Sequence, residues 1–169
     1  MRQHIPSVLI ALVVAVLGYG LLKPAAPENQ PLLGQAAPAF DLQTLDQKPY
    51  HFTGQIKRPL VLNFWASYCL PCRQEAPVLK ALSEQHAGQV DFLGVVFFND
   101  KPEQAETFLK EHQLKYPNVL DARSRVAIDY GIGQIPVTLV VSAEGKVVYR
   151  KLGAVGASEL QAALQAVLN

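Results

Sequence analysis

The chain contains two cysteines, Cys69 and Cys72, and they stand two residues apart in Cys69-Leu-Pro-Cys72. A pair at that spacing can close into a disulfide within one helical turn. Opened, it can attack another disulfide as thiolate and exchange electrons with it. Thiolate is favoured where unpaired backbone N–H groups and the positive end of a helix dipole face the sulfur. The sequence supplies that setting. A run of strand-forming apolar residues, Leu60 to Trp65, leads into Ala66-Ser-Tyr68, and a helical pattern opens at the cysteines. Pro71 suits a first helical turn, where its missing N–H had no partner. Cys69 stands ahead of that turn, nearest solvent, and is expected to be the attacking thiolate. Cys72 lies one turn deeper and is expected to resolve the mixed disulfide. Glu75, three residues further on, shares the face of Cys72. A purely structural disulfide is the plain alternative, but it leaves a dithiol at a helix mouth without a use. Zinc would need two more ligands. His4, His51, His86 and His112 are scattered and show no His-x-x-x-His spacing.

The elements around the pair follow from periodicity. Phe40-Asp-Leu42 and Tyr50-His-Phe52 alternate about a turn at Thr44–Pro49 and predict a small hairpin. Leu60–Trp65 and Val90–Phe98 read as strands buried on both faces. The helix between them turns Ala76, Leu79 and Leu82 inward and carries Pro77 in its interior, where a kink is expected. Asp100 with Glu103, and Ser158 with Gln161, read as capping boxes for two further helices. The first carries Ala105, Phe108, Leu109 and His112 at helical spacing; the second carries Leu160, Ala163, Leu164, Val167 and Leu168. Between them lie a short strand at Val119 and Leu120 and a brief helix that Ser124 would cap. A strand at Thr138–Val141 then turns through Ser142–Gly145 into a partner at 146–151. This order predicts an α/β fold with a central sheet of mixed direction. It places the dithiol at the carboxyl end of the first buried strand, where open α/β sheets hold their ligands.

Length and composition fit one domain with a short extension: 169 residues, half of them hydrophobic, 17% charged, net charge +1. The basic residues are dispersed, which argues against a nucleic-acid partner. From Ile5 to Leu22 the chain runs 18 residues without a charge, just enough to cross a bilayer core. Residues 1–23 are read as a membrane anchor in preference to a cleaved signal, because Gly18-Tyr-Gly20 makes a poor cleavage site. Residues 24–33 form a Pro-rich spacer, and 34–169 the folded domain. Arg2 at the amino terminus favours that end inside and the domain outside.

Trp65-Ala-Ser-Tyr-Cys-Leu-Pro-Cys-Arg-Gln-Glu-Ala-Pro77 resembles the active-site segment of the membrane-anchored TlpA/ResA/CcmG (DsbE) thioredoxin-like proteins, which are extracytoplasmic thiol–disulfide oxidoreductases. Gly34-Gln-Ala-Ala-Pro-Ala-Phe40 is similar to the opening of that family's domain. Tyr130-Gly-Ile-Gly-Gln-Ile-Pro-Val-Thr138 resembles its cis-proline loop, and Glu144-Gly-Lys-Val-Val148 the hairpin after it. The resemblance covers residues 34–169. It implies a thioredoxin-like fold with an N-terminal β-hairpin and an extra helix and strand within 99–121. It also implies a cis bond between Ile135 and Pro136, an isomer sequence alone cannot fix. The backbone there would pair with an incoming peptide as an added strand does, with Ile135, Trp65 and Tyr68 as substrate contacts. Glu75 would be an active-site acid, raising the thiol pKa values and accepting a proton when Cys72 attacks. An ordinary first-turn glutamate is the alternative. Asn63 stands where plain thioredoxins carry a buried aspartate, which would shift proton handling to Glu75. Tyr68 replaces the Trp common before the first cysteine.

What the resemblance implies for function is reduction of protein disulfides at the outer face of the cytoplasmic membrane, toward the periplasm or the cell exterior. The specific expectation is the Cys-x-x-Cys-His segment of apocytochrome c, opened so that haem can attach. Electrons would come from a membrane thiol carrier of the DsbD/CcdA type. No cofactor is expected beyond the redox-active pair Cys69–Cys72. A general extracytoplasmic reductase is the alternative. A copper metallochaperone of the Sco type is more distant, because that family resemblance calls for three residues between the cysteines and a downstream histidine. A peroxiredoxin would need Pro and Thr where Leu62 and Ala66 stand.

Overall fold

The structure is a computed structural model and describes residues 31–169. The anchor or signal expected at 1–23, and the spacer up to residue 30, lie outside the described residues. Within those residues, no helix is long and apolar enough to cross a membrane.

The described strands are β1 (Phe40–Thr44), β2 (Pro49–Phe52), β3 (Leu60–Trp65), β4 (Asp91–Val96), β5 (Asn118–Leu120), β6 (Val137–Val141) and β7 (Val147–Leu152). The helices are α1 (Leu70–Gln85), α2 (Pro102–His112), α3 (Arg125–Asp129) and α4 (Ala157–Leu168). One sheet runs in the order β2-β1-β5-β4-β3-β6-β7. β3 pairs parallel with β4, from Leu60 opposite Asp91 to Trp65 opposite Val96, and β4 pairs parallel with β5. β6 joins β3 antiparallel, and the hairpin β1–β2 and strand β7 are antiparallel as well. The mixed sheet, the N-terminal hairpin and the inserted α2–β5 segment are therefore all present.

β3 decides what the site stands on. Its side chains alternate between faces. Leu60, Leu62 and Phe64 pack into one cluster with Tyr130, Val137 and Leu139. Val61 packs on the other side with Leu79 and Leu82 of α1 and Leu160 and Leu164 of α4. Asn63 and Trp65, in phase with Val61, consequently face the α1 side. Trp65 shares a third cluster with both cysteines, Ala76 and Phe108.

The expected capping boxes do not form. α2 begins at Pro102 with Lys101 as its N-cap and no side-chain cap; the Asp100 carboxylate is held by Ser67 instead. Ser124 does precede α3, but at φ +56 and without a capping bond; the Ala127 N–H is taken by Asp121 Oδ2 at 2.8 Å. α4 starts at Ala157 after Gly156, so Ser158 falls inside its first turn. In the first case a tertiary contact outcompetes the local one; in the second, a carboxylate three residues before Ser124 takes the capping bond in its place. The strand expected at 90–98 ends at Val96, and the Phe97 N–H goes to the Trp65 carbonyl at the end of the neighbouring strand at 2.9 Å.

Candidate active site

Cys69 is the N-cap of α1, and its Sγ accepts the Cys72 N–H at 3.2 Å. The two sulfurs form a disulfide of 2.04 Å, with the Cα atoms 5.3 Å apart. The first turn of α1 carries no acidic side chain and has Pro71 in the expected place. Nothing in that turn neutralises the positive end of the dipole facing Cys69. Both cysteines are buried, Cys69 less deeply: it is 7% exposed and Cys72 2%. The more exposed of the two, Cys69, is flanked in the chain by Tyr68, 55% exposed, and the exposed Leu70. Two grooves, of about 850 and 750 Å³, lie elsewhere, along β1 and the residues around β5, and neither includes a cysteine.

Glu75 lies in the second turn of α1, not the first, and is 1% exposed. Its Oε1 accepts from Asn63 Nδ2 at 2.8 Å and its Oε2 from the Val155 N–H at 2.9 Å. Burial pushes its pKa up to about 7, against the two donors, which favour the charged form. Asn63 also donates to Thr138 Oγ1 at 3.1 Å. An acid that titrates near neutrality thus sits one turn beyond Cys72, tied to β3 and to the loop between β7 and α4.

The Ile135–Pro136 bond is cis. Ile135 packs against the cluster that holds both cysteines, and the Pro136 carbonyl accepts the Gly153 N–H at 2.9 Å. Trp65, expected among the substrate contacts, is 2% exposed and lies beneath the site. Its indole N–H donates to Asn118 Oδ1 at 2.9 Å, and its ring stacks on Phe108 at 4.4 Å. Tyr68 is at the surface, with its hydroxyl donating to Asn99 Oδ1. Cys69, Cys72, Trp65 and Ile135 are brought together, with Tyr68 at the rim and Glu75 buried along α1.

Two arrangements escaped the sequence. Asp100, 6% exposed, reaches from the β4–α2 loop to the residue two before Cys69. A buried acid at the carboxyl end of a strand was the available signal, masked by its resemblance to a helix cap. Gly94 on β4 is the second. A Cβ there would lie 1.8 Å from Asn118 Oδ1 and 2.7 Å from Trp65 Nε1, so the bond under the site needs a glycine. Among the described residues, no group of three or more His, Cys, Asp or Glu side chains is placed to hold a metal ion.

Comparison with known proteins agrees with this geometry. The Redoxin family profile matches residues 32–166. The chain is 33% identical over 144 residues to the thiol:disulfide interchange protein HelX of Rhodobacter capsulatus, covering 80% of this chain and 78% of that one. It is 29% identical over 147 residues to the thiol-disulfide oxidoreductase ResA of Geobacillus thermodenitrificans, covering 86% and 84%. Among solved structures it is similar to dsbF of MTB in its mixed oxidized and reduced forms. That match has a TM-score of 0.70 and 29% identity, covering 76% of this chain and 94% of that one.

Proposed function

The chain belongs to the Redoxin family and is a thiol–disulfide oxidoreductase, and on that premise we propose that it reduces protein disulfides outside the cytoplasm, with the Cys-x-x-Cys-His segment of apocytochrome c as substrate. The observation that carries the reading is the inequality of the two cysteine positions. Cys69 caps the mouth of α1, while Cys72 lies inside its first turn, the more buried of the two residues and one turn before a neutral-range acid.

The reaction follows from that arrangement. The Cys69 thiolate attacks one sulfur of the substrate disulfide; a Cys69–substrate bond forms, the substrate S–S bond breaks, and one substrate thiolate leaves. Cys72, losing its proton to Glu75, then attacks Cys69. The Cys69–Cys72 bond forms and the second substrate thiolate leaves. Substrate gains two electrons and, with two protons, becomes a dithiol; the enzyme is left as disulfide. Backbone at Ile135, beside the cis proline, pairs with the substrate strand, and Tyr68 contacts it from the rim. A membrane dithiol carrier of the DsbD/CcdA type restores the reduced form, and residues 1–23 hold the domain at the membrane.

A Cys72→Ser variant tests the substrate, because it stops at the mixed disulfide. Expressed in its own cell, it is expected to accumulate apocytochrome c, or a cytochrome-assembly component, linked to Cys69. Recovery of unrelated secreted proteins alone would replace this reading with that of a general extracytoplasmic reductase.

A further inference from the structure

Immediately before the cysteines, the backbone of the active-site turn is held by a charge the reaction itself does not use. Asp100 Oδ2 accepts the Ser67 N–H at 2.6 Å, and Oδ1 accepts the Ser67 hydroxyl at 2.7 Å and the Lys101 N–H at 2.9 Å. Both Asp100 and Ser67 are buried. The loop carrying Asp100 is itself fixed, by the Phe97 N–H on the Trp65 carbonyl and by the Asp100 N–H on the Phe97 carbonyl at 3.0 Å. Asn99 next to it takes the hydroxyl of Tyr68. Ser67 and Tyr68 run directly into Cys69, whose N–H closes the turn onto the Ala66 carbonyl at 3.2 Å.

We propose that Asp100 is a positioning residue that, through Ser67, sets how readily Cys69 exists as thiolate and thereby keeps the dithiol reducing. Two effects act in the same direction. The carboxylate occupies the Ser67 N–H and O–H, donors next to Cys69 that are thereby withheld from its sulfur. It also places a negative charge within about 12 Å of that sulfur, since the Ser67 N–H that it holds and the Cys69 N–H that returns to the Ala66 carbonyl belong to one tight turn. Both oppose the helix dipole and disfavour thiolate. The dithiol state gives up stability relative to the disulfide, which makes the couple a better donor of its two electrons.

The other charged groups on the elements packed around the cysteines differ in kind. Arg73, on the turn of α1 after Cys69, is exposed and paired with Glu111 of α2 at 3.3 Å. Glu75 is buried on the Cys72 side. Lys101 is exposed, with its side chain outside the hydrogen bonds that hold the turn. Residues 131–136 of the cis-proline loop carry no charge. Asp100 is the buried charge attached to the Cys69 turn.

The experiment uses the full chain equilibrated with glutathione. Two glutathiones and the Cys69–Cys72 disulfide exchange two electrons and two protons to give the dithiol and glutathione disulfide. The readout is therefore independent of which protein is the natural substrate. Asp100→Asn keeps the shape and an acceptor while removing the charge. At a pH above the midpoint of the Cys69 alkylation profile, where the reduced form carries the thiolate, it is expected to shift this equilibrium three- to tenfold toward the reduced pair, about 15–30 mV for a two-electron couple. The alkylation-rate profile of Cys69 is expected to move about half to one pH unit lower. Ser67→Ala keeps the charge and loses one hydrogen bond; it is expected to lower the melting temperature without moving either quantity in that direction. If Asp100→Asn does not fold, Asp100→Ser, with a short neutral acceptor, carries the same expectation. A neutral variant that changes only the melting temperature overturns the proposal. So does Ser67→Ala shifting the equilibrium as far toward the dithiol as Asp100→Asn, because turn geometry would then account for the effect.

Discussion

Glu75 shows how one side chain ties stability to chemistry. A carboxyl removed from water prefers to keep its proton, and the donors from Asn63 and Val155 offset that only in part, leaving the pKa at about 7 against an ordinary 4.5. The folded protein therefore holds this proton up to neutral pH, while the unfolded chain releases it near 4.5. Since the folded state binds more protons across that window, stability declines as pH rises from about 4.5 to 7 and levels off above it. The loss amounts to roughly 3 kcal/mol at most. Glu75→Gln in the oxidised protein is expected to flatten that decline, measured by urea unfolding at a series of pH values. The amide can be accommodated, because Asn63 can rotate its own amide to present oxygen to the new donor. In the reduced protein, the same variant is expected to lower the higher of the two thiol pKa values by removing a like charge. An unchanged thiol titration would remove Glu75 from the mechanism.

At the scale of elements, β3 and α1 together make the site, and both were readable from sequence. An unbroken apolar run needs burial on both faces, and a helix opening at Cys69-Leu-Pro-Cys72 can present sulfur only at its amino end. The inward stripe of Ala76, Leu79 and Leu82 is buried as its spacing requires. What sequence could not supply were contacts between elements. Asp100, Ser124 and Ser158 each match a local capping pattern, yet none makes a side-chain capping bond, although Ser124 does occupy the N-cap position of α3. A capping bond contributes about 1 kcal/mol, which a buried partner such as Ser67 readily exceeds. Gly94 is invisible for the same reason: its need arises where β4 passes between Trp65 of β3 and Asn118 of β5. Gly94→Ala is expected to break the Trp65–Asn118 bond and destabilise the fold by about 1–3 kcal/mol. The same variant should alter the emission of Trp65, the single tryptophan of the chain. Wild-type stability with unchanged emission would mean that the strands part easily enough to admit a methyl group.

At the scale of the whole domain, direction of electron flow becomes a statement about folding. Oxidised and reduced chains, each folded or unfolded, form a closed cycle. The difference between their unfolding free energies therefore equals the difference between the potentials of the folded and unfolded couples. A protein built to donate electrons must be more stable with its disulfide closed than open; one built to take them must be the reverse. The features around the pair favour the closed state: Cys72 is enclosed by apolar side chains, an anionic Glu75 would face a thiolate, and Asp100 opposes one at Cys69. The oxidised domain is accordingly expected to melt above the dithiol form. Each 30 mV by which folding makes the couple more reducing corresponds to about 1.4 kcal/mol, or roughly 3–6 °C for a domain of this size. Scanning calorimetry of the oxidised protein, and of the same protein held reduced under excess dithiol, measures this directly. If the reduced form melts higher, the pair is an oxidant, and apocytochrome c would have to be replaced by a substrate that receives a disulfide.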